Sequence, residues 1–237
     1  MSAAGSVPPA RGVAVLACVA VTGCLPMVER AEEAATTRPR VGQCYATPDA
    51  VLAAAHDPTP PVPCAEPHSL ETYAVLEADG PLDPPTTAEM NQRCVERIHD
   101  FLGGDFMHTA VSVYYFTPTR AQQADGARWV RCDAGVVTDT AVTGARPVTG
   151  SLRNAYESGV PTAYRRCLDS APDPTASQPL VPCGLPHVAQ QIPDGVGLGR
   201  PERPYPGRER LVARAQPPCA STVSREVPDA GRSLVVV

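Results

Sequence analysis

The chain has 237 residues, a net charge of −5 and 5% aromatic content against 28 prolines. With so few bulky side chains and so many positions that interrupt regular structure, it should fold as short elements joined by long ordered loops. All 20 basic residues are arginine and they are scattered, which excludes the concentrated basic face that a nucleic-acid partner needs. The one local cluster, Arg200, Arg203, Arg208, Arg210 and Arg214, is interrupted by Glu202 and Glu209 and reads as solvated surface.

Residues 1–23 read as an export signal. Arg11 supplies the positive charge, and Gly12 to Val21 form an apolar run of about ten residues, the size of a signal core and too short to span a bilayer. The run ends in Val21-Thr22-Gly23-Cys24, which is similar to the lipobox of bacterial lipoproteins. That similarity implies cleavage before Cys24 and attachment of lipid, palmitate included, to its sulfur. Multiple acyl chains would anchor the protein to the outer face of the plasma membrane. Residues 24–40 are small, charged and without apolar periodicity, as expected of a flexible tether.

Seven cysteines follow: Cys44, Cys64, Cys94, Cys132, Cys167, Cys183 and Cys219. In an oxidising compartment they read as a disulfide framework. Val62-Pro63-Cys64-Ala65-Glu66-Pro67-His68 recurs as Val181-Pro182-Cys183-Gly184-Leu185-Pro186-His187. Each copy has a cysteine before it (Cys44, Cys167) and another after it (Cys94, Cys219), and only the first continues to a fourth, Cys132. The chain therefore reads as a first unit over 41–145 and a second, shortened one over 160–237. A nested scheme pairs Cys44 with Cys132, Cys64 with Cys94 and Cys183 with Cys219, leaving Cys167 unpaired and available to link two chains. The sequential scheme leaves Cys219 over instead. The nested scheme is the expectation, because Cys44 and Cys132 both lie in strand-like segments that bound the unit.

In chain order, Val41 to Tyr45 is a short strand candidate and Pro58 to Pro63 is extended. Thr72 to Leu76 alternates with Tyr73 and Val75 on one face. Thr86 to Leu102 is the best helix, with Thr86 and Glu89 as a capping box, Met90, Cys94, Val95, Ile98, Phe101 and Leu102 as its apolar stripe, and Gly103 as its stop. Cys94 on that stripe would pin the helix to Cys64. Ala110 to Phe116 is β-rich, Asp125-Gly126 is a turn and Arg128 to Cys132 is a strand. In the second unit, Tyr164 to Leu168 and Val181 to Cys183 are extended candidates and Glu209 to Ala215 a short helix. The order predicts an α+β class: small disulfide-stapled repeat units with short strands and one main helix per unit.

These pieces resemble the actinobacterial septum-formation family. Val41-Gly42-Gln43-Cys44, Val62 to His68, Glu71, Cys94 and Gly126 to Cys132 carry the resemblance, well over 41–135 and weakly over 164–219. It implies an envelope protein linked to cell division. The second copy departs from the pattern, with Gln190 where Glu71 stands in the first.

No motif requires an enzyme. His68 and His187 beside cysteines, with Glu71 as an oxygen donor, suggest metal binding, but a sulfur in a disulfide cannot ligate and no close four-ligand spacing is present. The competing expectation is that each imidazole caps backbone groups at a turn. Cys167 with Arg165, Arg166 and His187 is the candidate for thiol chemistry, and a leftover sulfur explains it equally. No G-x-S-x-G elbow supports hydrolysis. Trp129 and Tyr114-Tyr115 are candidate contacts that core packing explains better. The sequence thus predicts a non-catalytic, lipid-anchored module without metal or cofactor that binds an envelope protein or wall component. An extracytoplasmic enzyme or metal-binding protein using His68 and Glu71 is the alternative.

Overall fold

The computed structural model describes residues 38–173, 175–192, 197–198 and 204–226. The expected export signal, Cys24 and most of the tether lie outside the described residues, as do Arg200, Glu202 and Arg203. The elements are β1 (Cys44–Tyr45), α1 (Asp49–Leu52), β2 (Pro61–Val62), β3 (Leu70–Glu77), α2 (Pro84–Leu102), β4 (Val111–Phe116), α3 (Arg120–Ala124), β5 (Trp129–Val137), β6 (Ala145–Arg146), a 3-10 turn (Thr162–Tyr164), β7 (Cys167–Leu168), β8 (Ala189–Gln190) and α4 (Arg208–Glu226). The fold is thus mixed, helices with antiparallel strands, as the α+β reading expects.

One antiparallel sheet has the order β2-β1-β3-β5-β4, with β6 paired to the end of β5. A small second sheet pairs β7 with β8. β5 is the axis of the molecule: every residue from Val130 to Val137 is buried. Such burial on both faces requires cover on both sides. On one side lies α2, which packs against β3, β4 and β5. Its buried residues Met90, Cys94, Ile98, Phe101 and Leu102 recur at helical spacing, whereas Val95, expected in the stripe, is 39% exposed. The other side carries Arg131 and Asp133, covered by the segment that holds Tyr45 and Asp57.

The ends of α2 follow from local chemistry. Asp83, and not Thr86, is the N-cap: its carboxylate accepts from the Thr86 N–H at 2.9 Å, with prolines in the first turn, where no donor is needed. Gly103 closes the helix in the left-handed region at φ 74°, as the sequence indicated. β5 runs five residues past the predicted strand end, and α1 and α3 were not predicted. α3 carries a capping box of Thr119 and Gln122. α4 extends well beyond the predicted 209–215 despite Pro217 and Pro218. Tyr164, expected extended, sits in the 3-10 turn. Among the described residues, no helix is long and apolar enough to cross a membrane.

The disulfides follow the sequential scheme, not the nested one. Cys44 bonds Cys64, Cys94 bonds Cys132, and Cys167 bonds Cys183. Strand order gives the reason. β3 lies between β1 and β5, so Cys44 and Cys132 sit two strand spacings apart, at least about 9–10 Å. Disulfide-bonded Cα atoms lie within about 7 Å. β1 instead pairs directly with β2, Cys44 opposite Val62, which brings Cys64 to a Cα distance of 5.2 Å. Cys94 faces the sheet from α2 and meets Cys132 on β5, with a Cα distance of 5.5 Å. The helix is therefore pinned to the sheet as expected, but through Cys132 and not through Cys64. Among the described residues, Cys219, expected to pair with Cys183, is free, and Cys167, expected to be unpaired, is bonded.

The second segment folds onto the first. Ala110 N–H donates to the Tyr164 carbonyl, Arg166 to the Thr109 carbonyl and Leu180 N–H to the Thr138 carbonyl. Leu152 and Tyr156, between the two predicted units, are buried in the main core.

Candidate functional site

The repeated motif forms a tight turn in both copies. Glu66 N–H donates to the Pro63 carbonyl, and Leu185 N–H to the Pro182 carbonyl. The neighbouring strand contacts also correspond. Cys44 faces Val62 on one side and Glu71 on the other, and Cys167 faces Val181 and Gln190 in the same way. Ser69 N–H donates to the Tyr45 carbonyl as Val188 N–H does to that of Leu168. Thr72 N–H reaches the Gln43 carbonyl as Gln191 N–H reaches that of Arg166.

Each imidazole turns back on its own loop. His68 Nδ1 lies 2.8 Å from the Glu66 carbonyl and His187 Nδ1 lies 2.9 Å from the Leu185 carbonyl. A carbonyl only accepts, so Nδ1 carries the proton in each ring and the Nε2 lone pair is left over. Here the two copies diverge. His187 is exposed, so water can satisfy its Nε2. His68 is 1% exposed and its Nε2 has no hydrogen-bond partner.

Glu71 is buried beside it. One carboxylate oxygen accepts from the Ser151 hydroxyl at 2.6 Å and the other from the Leu152 N–H at 2.7 Å. The same segment reaches the rest of the motif: Gly150 N–H donates to the Cys64 carbonyl, and Val148 exchanges backbone bonds with His68. Ligand atoms of His68, Glu71 and Cys44 lie within 4.8 Å of one another. Cys44 is in a disulfide, so its sulfur is no thiolate donor in this state.

A second buried polar cluster lies on the other side of β3. Arg131 bonds Asp57 at 2.6 Å and Asp133 at 2.8 Å, and Thr72 donates to Asp133 at 2.7 Å. Its guanidinium lies 3.9 Å from the centre of the Tyr45 ring and 4.6 Å from that of Phe116. Burial pushes the Asp133 carboxyl up against the pull of Arg131. Burial acts on Asp57 in the same sense, but hydrogen bonds from Thr59 and the charge of Arg131 outweigh it and hold that carboxyl low. With every charge paired and both aromatic faces closed, this cluster holds the fold together and offers no reacting atom to solvent.

The other candidates separate. Tyr114 is in the core, Trp129 is half-buried at the start of β5, and Tyr115 is 45% exposed. Arg165 and Arg166 precede Cys167, but its sulfur is bonded to Cys183, so no thiol is present there for nucleophilic chemistry or for linking two chains. Arg208, Arg210 and Arg214 are exposed on α4, consistent with solvated surface.

The septum-formation family model matches residues 81–230. The chain belongs to the septum-formation family. The matched range of this septum-formation protein starts after β3, so it includes the Cys94–Cys132 and Cys167–Cys183 bridges and Cys219, while His68 and Glu71 precede it. The resemblance read from the residues is strong over 41–135 and weak over 164–219, whereas the match runs from 81 to 230. No curated protein and no solved structure matches the chain.

Proposed function

We propose that this septum-formation protein is a non-catalytic binding or structural module of the cell envelope, held by lipid on Cys24 to the outer face of the plasma membrane and active at or near the division septum. One observation carries the non-catalytic reading. His68 and Glu71 are buried and fixed within the fold, His68 Nδ1 by its own loop and the two Glu71 oxygens by Ser151 and Leu152. A catalytic acid or base must reach a reacting proton, and these buried groups do not face solvent. The three disulfides support an extracytoplasmic setting, since such bonds persist where the surroundings are oxidising. The matching bonds around the two motif copies support one complete and one shortened copy of the same unit. Binding would then fall to the loops of this crosslinked frame, with an envelope protein or wall component as the partner.

The test is fractionation of cells that express the full chain and its Cys24→Ser variant, combined with imaging of an epitope-tagged copy. The wild type should sediment with membranes, carry an acyl mass on Cys24 and concentrate at division sites. C24S should lose both the acyl mass and the membrane association. Equal membrane retention of the two forms would refute the lipid anchor, and uniform distribution around the cell would refute the septal role.

A further inference from the structure

We propose that Cys44, Cys64, His68 and Glu71 form a latent zinc site that opens when the Cys44–Cys64 disulfide is reduced. This goes beyond the binding-module reading, which concerns the oxidised chain and has its own test in anchoring and location.

The orphaned His68 Nε2 is the starting observation. A buried ring nitrogen without a partner is costly, because its lost hydration is not replaced. Its surroundings have the pattern of a metal-ligating histidine, in which Nδ1–H on a backbone carbonyl fixes the tautomer and aims the Nε2 lone pair at the ion. Glu71 is likewise oriented from outside, and each of its oxygens keeps a lone pair after accepting from Ser151 or Leu152. The third member of the cluster is the Cys44 sulfur, with Cys64 bonded to it.

Two thiolates, one imidazole and one carboxylate are a donor set suited to Zn²⁺. Tetrahedral bonds of about 2.0–2.3 Å place ligand atoms about 3.5 Å apart. The three atoms already within 4.8 Å need to close by about an ångström. Cys64 is only partly buried and lies next to a turn, so its sulfur can be attacked and can then swing away from Cys44.

The step balances with a dithiol as reductant. A thiolate of the dithiol attacks Cys64 Sγ and Cys44 leaves as a thiolate. The second thiol of the reductant resolves the mixed disulfide. Two electrons pass to the protein sulfurs and the reductant ends as a disulfide. Zn²⁺ then binds the two cysteine thiolates and displaces the two protons they would otherwise hold.

The second motif copy is a control within the chain. It has Cys167, Cys183 and His187, but Gln190 replaces the carboxylate and His187 is exposed. The proposal therefore expects one ion per chain. The experiment titrates Co²⁺ and then Zn²⁺ into the full chain before and after reduction by a phosphine, with differential alkylation reporting which sulfurs are free. Reduced protein should show a thiolate-to-cobalt charge-transfer band that saturates at one equivalent and is displaced by Zn²⁺. Oxidised protein should show none. H68Q and E71Q should each weaken binding by at least about tenfold, and H187Q should leave it unchanged. Should H68Q fail to fold, the near-isosteric E71Q carries the test alone. Absence of the band once Cys44 and Cys64 are reduced would overturn the proposal, as would equal binding by oxidised protein or an equal loss in H187Q.

Discussion

Arg131 is the residue on which most of the buried polar chemistry converges. It is 4% exposed, pairs with two carboxylates and fills the space between two aromatic rings. Removing Asp57 leaves the guanidinium paired with Asp133 alone and takes away one charge-assisted hydrogen bond, at a cost of about 1.5–3 kcal/mol. Asp57→Asn should therefore lower the unfolding free energy in urea by about that amount near neutral pH. The sign of its pH dependence follows from the depressed Asp57 value. A carboxyl held below its unfolded value near 3.8 contributes stability above that pH and loses it as pH falls through the folded value. The gap between wild type and D57N should thus be widest above about pH 4 and shrink below it. A gap independent of pH would mean that the charge of Asp57 contributes nothing. None of this was legible in the sequence. Arg131 and Asp133 alternate along a strand with nothing local to mark them as buried, and part of their cover is Asp57, 74 residues from Arg131. His68 was legible because a repeated motif marks it, and Glu71 because it is among the residues that carry the family resemblance. The Glu71 partners Ser151 and Leu152 were not, being 80 and 81 residues distant with no local pattern.

Among the elements, β5 tolerates least. A Cβ at Gly135 would stand 2.7 Å from Leu70 Cδ2, 2.8 Å from the Ser69 carbonyl oxygen and 3.0 Å from the Tyr114 ring. The backbone oxygen cannot move aside without disturbing β3. Gly135→Ala should cost about 1–3 kcal/mol through overcrowding. Asp83→Ala, which removes the cap of α2, should cost less than Gly135→Ala. Thermal unfolding of the two variants under one buffer orders them, and an unchanged midpoint for G135A would contradict the close packing of β3 on β5. Existence and type of α2, β3, β4 and β5 could be read from sequence because their periodicity is long or strong. The short α1 and α3 could not, since one turn of helix leaves no period to detect. α4 was underestimated because Pro217 and Pro218 argue locally against a helix that continues through them.

At the scale of the whole molecule, crosslinks stand in for the bulky side chains that the composition lacks. The Cys94–Cys132 bridge closes a span of 38 residues and fastens α2 to the central strand. Loop-closure entropy puts its contribution at about 4 kcal/mol. The double variant C94A/C132A should lose stability on that order while the other two bridges still form. A crosslinked framework was legible from the cysteine count, but the pairing depended on strand order, which a linear reading cannot supply. With β3 between β1 and β5, Cys44 and Cys132 are out of reach of each other. The most direct test is peptide mapping of the full chain, extracted from cells and alkylated before any reductant is added. The crosslinked peptides should join Cys44 to Cys64, Cys94 to Cys132 and Cys167 to Cys183, with alkyl label on Cys219. Label on all seven downstream cysteines, or a crosslink between Cys64 and Cys94, would contradict the account.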